Sequence, residues 1–168
     1  LINGIILNRI VKEIINLNEA GKEILLVSSG ALALGKKSLN FKKNNLKVSE
    51  KQAASSVGQV LLINAWKKAF LKYKKQCGQI LLTHLDAEIR SSAINARNTI
   101  ETLLKLNSIP IINENDTVAT QELRYGDNDQ LAARVAQITS SNLLIILSDV
   151  DGLYTSNPKK SSNALLIK

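Results

Sequence analysis

Acidic and amide side chains are concentrated in residues 111–129, which read IINENDTVATQELRYGDND. From Asn113 to Asp129 the chain carries three Asn and five acids against a single base. Ionised Asp offers only acceptors, whereas Asn offers both a donor and an acceptor. A pocket lined by both types could hold a ligand ammonium group and also reach a ligand carboxylate. The same residue types favour turns and N-caps, and Asp127 fits a cap at the head of a helix.

Two shorter polar segments could also bind a charged ligand. Ser28, Ser29 and Gly30 precede a predicted helix, where free backbone N–H groups attract a carboxylate or phosphate. Glycine would let the backbone approach such a ligand closely. Ser148 and Asp149 follow an apolar run and could contact a nucleotide or its metal, although a capped turn uses the same residues. Neither segment is a P-loop or a GxGxxG motif.

The elements that must position these segments are short apolar strands separated by helices. Apolar runs predict strands at 23–27, 79–82, 109–112 and 142–148, and apolar periodicity predicts helices at 8–20, 49–73, 92–107 and 127–140. Non-alternating strands between helices indicate a parallel sheet that is buried on both faces. We therefore expect residues 1–168 to form a single α/β domain, a three-layer αβα sandwich with a mainly parallel sheet. Each polar segment follows a strand, at the sheet edge where open α/β folds bind ligands.

Charge is distributed unevenly along this chain of net charge +8. Residues 36–75 hold eleven Lys and one acid, whereas residues 113–151 hold seven acids and two Arg. We interpret the Lys-rich stretch as a solvated surface. A nucleic-acid patch is the alternative, but few aromatic residues accompany the lysines, so nucleic acid is not an expected partner.

Several classes of protein are disfavoured by composition. With His84 as its single histidine, the sequence does not indicate a catalytic triad. No Cys/His ligand spacing is present, so no metal ligand is assigned. The single cysteine, Cys77, and the lack of a membrane-length apolar run fit a cytoplasmic protein without disulfides. We expect His84 and Cys77 to be structural. Catalysis by paired carboxylates is also disfavoured, because no apolar setting that would raise the pKa of one acid is evident.

Seven segments together resemble the amino acid kinase family. They are VSSGALALG, KQAASSVGQ, GQILLT, NARNTIETLL, IPIINENDTVAT, GDNDQLAARVAQ and LSDVDGLYTSNP, in this order. The pairing of INENDTVA with GDND resembles the branch that phosphorylates the side-chain carboxylate of glutamate, at the first step of proline biosynthesis. The resemblance implies an αβα sandwich with L-glutamate and ATP as substrates, and Mg²⁺ is expected with ATP. It also favours a homo-oligomer.

Matched position by position, the resemblance implies roles for seven residues. Ser29, Asp116 and Asn128 correspond to glutamate-binding positions, with Asn113 as a weaker addition. Ser148 and Asp149 correspond to nucleotide-contacting positions. Asp129 corresponds to the catalytic carboxylate that orients the lysines at the phosphoryl group.

The resemblance is incomplete at both ends. Family members open with a strand that carries a Lys and a Gly-rich turn, and they have a second Lys further along the chain. The given sequence shows neither the opening strand nor the second Lys. It also does not show the PUA domain that many members have. We therefore expect a truncated domain with little or no activity by itself. Three alternatives remain: a kinase for aspartate, a nucleoside monophosphate or carbamate; a basic nucleic-acid-binding module; and a fragment that serves oligomer assembly.

Overall fold

The computed structural model describes residues 2–42, 45–118, 128–148, 150, 152 and 154–167. In this part of the chain, helices alternate with strands in the order expected of βαβ units. The elements are α1 Gly4–Glu19, β1 Leu26–Val27, α2 Ala31–Ser38, α3 Val48–Leu71, β2 Cys77–Leu82, α4 His84–Glu88, α5 Arg90–Lys105, β3 Ile109–Glu114 and α6 Asn128–Ile138.

The three strands form a parallel sheet in the order β1-β3-β2. Leu26 pairs with Ile111 on one side of the central strand, and Leu82 pairs with Glu114 on the other. All six residues of β3 are buried. A central strand in a parallel sheet is covered on both faces, which explains why IPIINE is nearly continuous in apolar residues before its polar end.

Two apolar clusters cover the two faces of the sheet. On one face, α1 and α3 pack against Ile109 and Ile111 of β3 through a cluster that includes Val11 and Phe70. On the other face, α5 and α6 pack against Ile112 and β2; this cluster comprises Ile80, Leu82, Ala96, Ile100, Ile112, Leu131 and Val135. Helix, sheet and helix layers therefore confirm the predicted αβα sandwich.

Local sequence explains where the first helix begins and ends. Asn3 caps α1, its side-chain oxygen accepting from the backbone N–H of Ile5 at 3.1 Å and of Ile6 at 3.3 Å. The helix ends before Gly21, which adopts a positive φ of 79°. No helix in the described ranges is long and apolar enough to cross a membrane.

Helices α2 and α3 pack backbone against backbone, and two glycines permit this contact. A Cβ atom placed on Gly58 would lie 1.7 Å from the carbonyl oxygen of Ala31, and one on Gly35 would lie 1.7 Å from that of Ala54. Such distances are impossible for real atoms, so the two backbones could not approach this closely with any other residue. The contact fixes the start of α2, and with it Ser28 to Gly30, against α3.

The strand predicted at residues 142–148 is wrong. Residues 143–148 have no regular secondary structure, and the side chains of Leu143 and Leu147 are 75% and 72% exposed. An apolar run becomes a strand only when a neighbouring strand accepts and donates its backbone hydrogen bonds. Among the described residues this run has no such partner. The short helix α4 was not predicted, because five residues are too few for an apolar period to be recognised.

Candidate functional site

The polar ends of all three strands meet at one edge of the sheet. The backbone N–H of Ser28, just after β1, donates to the carbonyl of Ile112 at 2.9 Å, and the N–H of Asn115, just after β3, donates to that of Leu82 at 2.9 Å. Thr83 follows β2 at the same edge and caps α4. This convergence follows from parallel pairing, which brings the carboxyl ends of the strands together.

A chain of three side-chain amides, the amide relay of Gln59, Asn113 and Asn128, connects the two helical layers through this edge. The Nδ2 group of Asn113 donates to Oε1 of Gln59 at 3.1 Å. The Nδ2 group of Asn128 donates to Oδ1 of Asn113 at 2.9 Å. Gln59 belongs to α3 and Asn128 to α6, so the relay crosses the end of β3.

Backbone groups anchor the amide relay at three points. Gln59 Nε2 donates to the carbonyl of Glu114 at 3.3 Å, and Asn113 Oδ1 accepts from the N–H of the same residue at 2.9 Å. Asn128 Nδ2 donates to the carbonyl of Ser28 at 2.6 Å. The relay therefore joins the ends of β1 and β3, and it holds the first turn of α6 against them.

The buried Ser28 side chain accepts a hydrogen bond from the only tryptophan. Trp66 Nε1 donates to Ser28 Oγ at 2.9 Å, and both residues are buried. Buried indole N–H groups usually find such a partner, because an unpaired donor away from water is costly. The bond fixes the polar end of β1 to α3 immediately before Ser29.

Two carboxyl groups at the end of β3 lie in a setting that disfavours their charge. Burial raises the pKa of Glu114, the negative charge of Asp116 raises it further, and His84 lowers it. Burial also raises the pKa of Asp116, and an interaction with the Ser55 hydroxyl lowers it. The expectation that no acid lies in a pKa-raising environment is therefore wrong. The sequence alone did not show that the residues of the NEND segment are buried or partly buried in the fold.

The Ser55 hydroxyl is fully buried in α3 and makes no hydrogen bond of standard geometry among the described residues. Its influence on the pKa of Asp116 nevertheless shows that it lies near that carboxylate. A buried hydroxyl without a partner is unusual, since most such groups are satisfied. It leaves an unsatisfied polar atom beside the acid at the end of β3.

The predicted glutamate-binding positions lie at this edge of the sheet. Asn113 and Asn128 are joined directly in the amide relay, and Asp116 is partly buried just beyond β3. Ser29 is exposed and precedes Gly30, whose φ of 105° is in the left-handed region that favours glycine. The edge therefore presents amide oxygens, a carboxylate and the N-terminus of α2.

The predicted catalytic and nucleotide positions are less fully described. Asp129 is exposed in the first turn of α6, one residue after Asn128. Ser148 is exposed, but it does not follow a strand as predicted. Asp127 and Asp149 lie outside the described residues.

Comparison with known proteins relates the whole chain to one group of enzymes. The family model described as "Amino acid kinase family" matches residues 2–168. The chain belongs to the amino acid kinase family. Its fold and the position of its polar edge are those expected of an open α/β fold that binds ligands at its strand ends.

Several relatives within the amino acid kinase family are named glutamate 5-kinase. The protein of Pelagibacter ubique is 52% identical over 162 residues, which cover 96% of this chain and 44% of the relative. That of Caulobacter vibrioides is 52% identical over 149 residues, covering 89% and 40%. That of Rhodospirillum rubrum is 48% identical over 161 residues, covering 96% and 43%. The chain thus spans less than half the length of these relatives.

Three residues that contribute to the edge were not predicted from sequence: Ser55, Gln59 and Trp66. All three lie on α3, within KQAASSVGQ and the turns after it, and they share one buried helical face. Polar residues four positions apart on an otherwise apolar face were the available signal, because a buried face normally excludes them. The motif was recognised as characteristic of the amino acid kinase family, but no residue in it was given a role.

Metal ligands are not assigned. Within the described part of the chain, no three His, Cys, Asp or Glu side chains are grouped to hold a metal ion. His84 begins α4, and Cys77 begins β2, where it packs beside the α1–α3 cluster. Burial raises the pKa of the Cys77 thiol, which fits a structural cysteine better than a reactive one.

Proposed function

We propose that this chain forms the glutamate-binding part of a glutamate 5-kinase, which transfers the γ-phosphoryl group of ATP to the side-chain carboxylate of L-glutamate. The carrying observation is the partly buried Asp116 carboxylate just beyond the end of β3, where Glu114 anchors the amide relay, at the sheet edge that binds ligands in such folds. The glutamate 5-kinase relatives, about half identical in sequence, support the same activity.

The charges at the edge suit a free amino acid. Burial raises the pKa of Asp116 because it disfavours the ionised carboxylate. A cation that binds beside this carboxylate would stabilise its ionised form. The α-ammonium group of glutamate supplies that cation, whereas an N-acylated amino acid would not. Ser29 and the backbone N–H groups at the start of α2 are suited to a ligand carboxylate, because helix N-termini attract anions.

Phosphoryl transfer to a carboxylate requires positioning more than proton transfer. The acceptor carboxylate is already ionised at neutral pH, so the reaction does not need a general base such as His84. Positioning and charge neutralisation lower the barrier instead. We assign orientation of the catalytic cations to Asp129 and contact with the nucleotide to Ser148 and Asp149.

Mg²⁺ would supply charge neutralisation at the phosphates. Among the described residues, no three His, Cys, Asp or Glu side chains are grouped so that they could hold it. Mg²⁺ commonly binds through phosphates and water with few protein ligands, which is compatible with this arrangement. We also propose that residues 1–168 form one domain of a cytoplasmic homo-oligomer.

Replacement of Asp116 by Asn tests the substrate assignment. The change keeps the shape of the side chain and removes the charge that pairs with the ammonium group. A lost charge-assisted bond costs about 1.5–3 kcal/mol, so glutamate should bind roughly 10- to 100-fold more weakly. Isothermal titration calorimetry of the purified chain with L-glutamate measures this change.

Glu13→Gln is the matched control, since Glu13 is an exposed acid on α1, far along the chain from the site. Its affinity for glutamate should equal that of the unchanged chain. If Asp116→Asn also binds glutamate with unchanged affinity, the assignment of Asp116 is wrong.

A further inference from the structure

We propose that Ser55 is a positioning residue: its hydroxyl donates a hydrogen bond to the ionised carboxylate of Asp116 and thereby stabilises the charged form of that side chain. The packing of α3 against the end of β3 brings the two residues together. The ligand that the charged carboxylate binds rests on the proposed function, whereas the contact with Ser55 does not.

Helix α3 runs antiparallel to β3, so the earlier residues of the helix lie near the later residues of the strand. The helix ends shortly before β2, and β2 begins beside Ile109, at the start of β3. Further back on the helix, Gln59 donates to the carbonyl of Glu114, the last residue of β3. Ser55 is one turn before Gln59 on the same buried face, about 5.4 Å further along the axis. It therefore lies level with the residues that directly follow β3.

The chain that follows β3 holds Asp116 in a hydrogen-bonded turn. The backbone N–H of Asn115 donates to the carbonyl of Leu82 at 2.9 Å, so the chain stays paired to the end of β2. The N–H of Val118 donates back to the carbonyl of Asn115 at 3.2 Å, and Thr117 Oγ1 donates to Asn115 Oδ1 at 2.6 Å. Asp116 is the first central residue of this turn, and it is partly buried. Its backbone is therefore fixed close to the polar end of β3.

The Ser55 hydroxyl has a hydrogen available to donate. The residue is 0% exposed, and its Oγ atom has no hydrogen-bond partner of standard geometry among the described residues. A serine hydroxyl rotates about its Cβ–Oγ bond, so its hydrogen can turn toward an acceptor within reach. An ionised carboxylate offers only acceptors. A buried serine is disfavoured unless its hydroxyl gains such a partner, and Asp116 can provide it.

The groups around Asp116 show why such a donor matters. Burial raises the pKa of Asp116, and the Ser55 hydroxyl lowers it. Glu114, two residues earlier, lies close enough for the charge of Asp116 to raise its pKa, while His84 at the start of α4 lowers the pKa of Glu114. The Ser55 hydroxyl thus opposes the effect of burial on Asp116.

The consequence is an acid that can remain ionised inside the fold before any ligand arrives. Without the hydroxyl, burial would act unopposed by this donor, and Asp116 would take up a proton at a higher pH. Ser55 acts through Asp116 and need not touch a ligand itself.

Replacement of Ser55 by Ala tests the proposal in the absence of ligand. Alanine removes the donor and favours helices, so the variant should fold. The carbon-13 NMR signal of the Asp116 carboxyl group is followed as the pH is lowered, and its absence from Asp116→Asn identifies it. We expect the titration midpoint of Asp116 to move to higher pH in Ser55→Ala than in the unchanged chain. Coincident midpoints would overturn the proposal.

Two further variants separate the hydroxyl from the volume of the side chain. Ser55→Cys keeps a side chain of similar size, but a thiol is a weak donor, so the midpoint should again move to higher pH. A midpoint equal to that of the unchanged chain would show that filled volume, and not the hydroxyl, governs the titration. Ser56→Ala removes the exposed serine that follows on α3 and should leave the midpoint unchanged. An equal shift in Ser56→Ala would also overturn the proposal.

Glu114→Gln provides a background in which the neighbouring acid no longer titrates. Interacting acids share their titration steps, so the comparison of Ser55 with Ala is repeated in this background. The shift to higher pH should persist there, with His84 present in every variant. Loss of the shift would mean that Ser55 acts on Glu114 and not on Asp116.

Calorimetric titration with L-glutamate at several pH values connects Ser55 to the proposed function. If ionised Asp116 holds the ammonium group, affinity falls as pH drops through the Asp116 midpoint, and the fall begins at a higher pH in Ser55→Ala. Below both midpoints, the variant should bind about tenfold more weakly for each pH unit that separates them. Affinities that do not follow the midpoints would contradict the assignment of Asp116 to the ligand, whereas the NMR midpoints would still decide the role of Ser55.

Discussion

At the scale of single residues, Glu114 combines two roles that oppose each other. Its backbone groups anchor the amide relay, while its side chain is a buried acid, 6% exposed as a residue. Burial and the neighbouring Asp116 raise its pKa, so its charged form destabilises the fold. A site that holds a ligand cation can retain such a cost, because the bound cation relieves it.

Glu114→Gln should therefore stabilise the ligand-free chain at pH 7. The folded-state pKa is raised above the ordinary value of 4.5, so the folded chain holds its proton to a higher pH than the unfolded chain. The stability contributed by protonated Glu114 is complete below the unfolded pKa and is lost as pH rises through the folded one. The gain from Glu114→Gln should consequently disappear near about pH 3.5, where both states are protonated.

Urea unfolding at the two pH values measures this difference, and Glu13→Gln is the exposed control. A gain of equal size at both pH values would mean that the effect does not come from titration of Glu114. A loss of stability at pH 7 would mean that the ionised carboxylate makes a favourable contact.

The roles given to single residues stay predictions. Residue types drew attention to the NEND and GDND segments, and the resemblance gave Asn113 and Asn128 their glutamate-binding roles. The structure joins these two side chains directly. Gln59 was not assigned a role, because its partners are 54 and 55 residues away in sequence. Contacts of that kind depend on how α3 packs across the sheet, which a local pattern does not specify.

At the scale of elements, the α2–α3 contact determines where the site lies. Gly35 and Gly58 allow the two helices to touch backbone to backbone. Because α3 also carries Ser55, Gln59 and Trp66, this contact sets the distance between the start of α2 and the amide relay.

Gly58→Ala should be strongly destabilising. The new methyl group would overlap the Ala31 carbonyl at 1.7 Å, and both atoms belong to rigid helices, so the helices must separate. Overpacking of this kind typically costs about 1–3 kcal/mol. Thermal unfolding followed by circular dichroism measures the loss.

Gly4→Ala is the matched control for this prediction, because a Cβ atom on Gly4 meets nothing within 4 Å. It should leave stability unchanged or raise it by up to about 1 kcal/mol, as alanine favours the helix. Equal melting temperatures for Gly58→Ala and the unchanged chain would contradict the close contact.

Elements were predicted well where their backbone hydrogen bonds are made within the element or with a neighbouring strand of this chain. Helices at 8–20, 49–73 and 92–107 correspond to α1, α3 and α5, since a helix makes its backbone bonds internally. The strands that became β2 and β3 pair with each other. The predicted strand at 142–148 failed, because strand formation depends on a partner that an apolar pattern cannot provide.

At the scale of the whole molecule, the apolar run from Leu143 to Leu147 is a large exposed surface. Leu143, Ile145 and Leu147 are 75%, 66% and 72% exposed. Contiguous exposed apolar surface usually marks an interaction site or causes association. The described part of the chain therefore carries surface that favours contact with another molecule.

Replacing Leu143, Ile145 and Leu147 together by Asn should reduce self-association without lowering thermal stability, because these side chains contribute little to either core cluster. Sedimentation velocity at several protein concentrations measures association. Leu106→Asn is the control, an exposed leucine of similar exposure at the end of α5 that lies outside the run. Unchanged association of the triple variant would show that this run is not the contact surface.

The Lys-rich stretch at residues 36–75 was expected to be a solvated surface, but one of its lysines is buried. Lys75 is 9% exposed, and its ammonium group donates to the side-chain oxygens of Asn18 and Asn107. It ties the end of α1 to the turn after α5. At least this lysine supports the fold and is not available to a nucleic acid.

The hydrogen bond between Trp66 and Ser28 gives the molecule an intrinsic optical reporter. Trp66 is the only tryptophan, so all indole emission of the chain comes from a ring whose N–H is bonded to the residue next to Ser29. Indole fluorescence responds to the polarity and hydrogen bonding of its surroundings. Events at the polar edge of the sheet can therefore be followed by the wavelength of emitted light, without attaching any label to the protein.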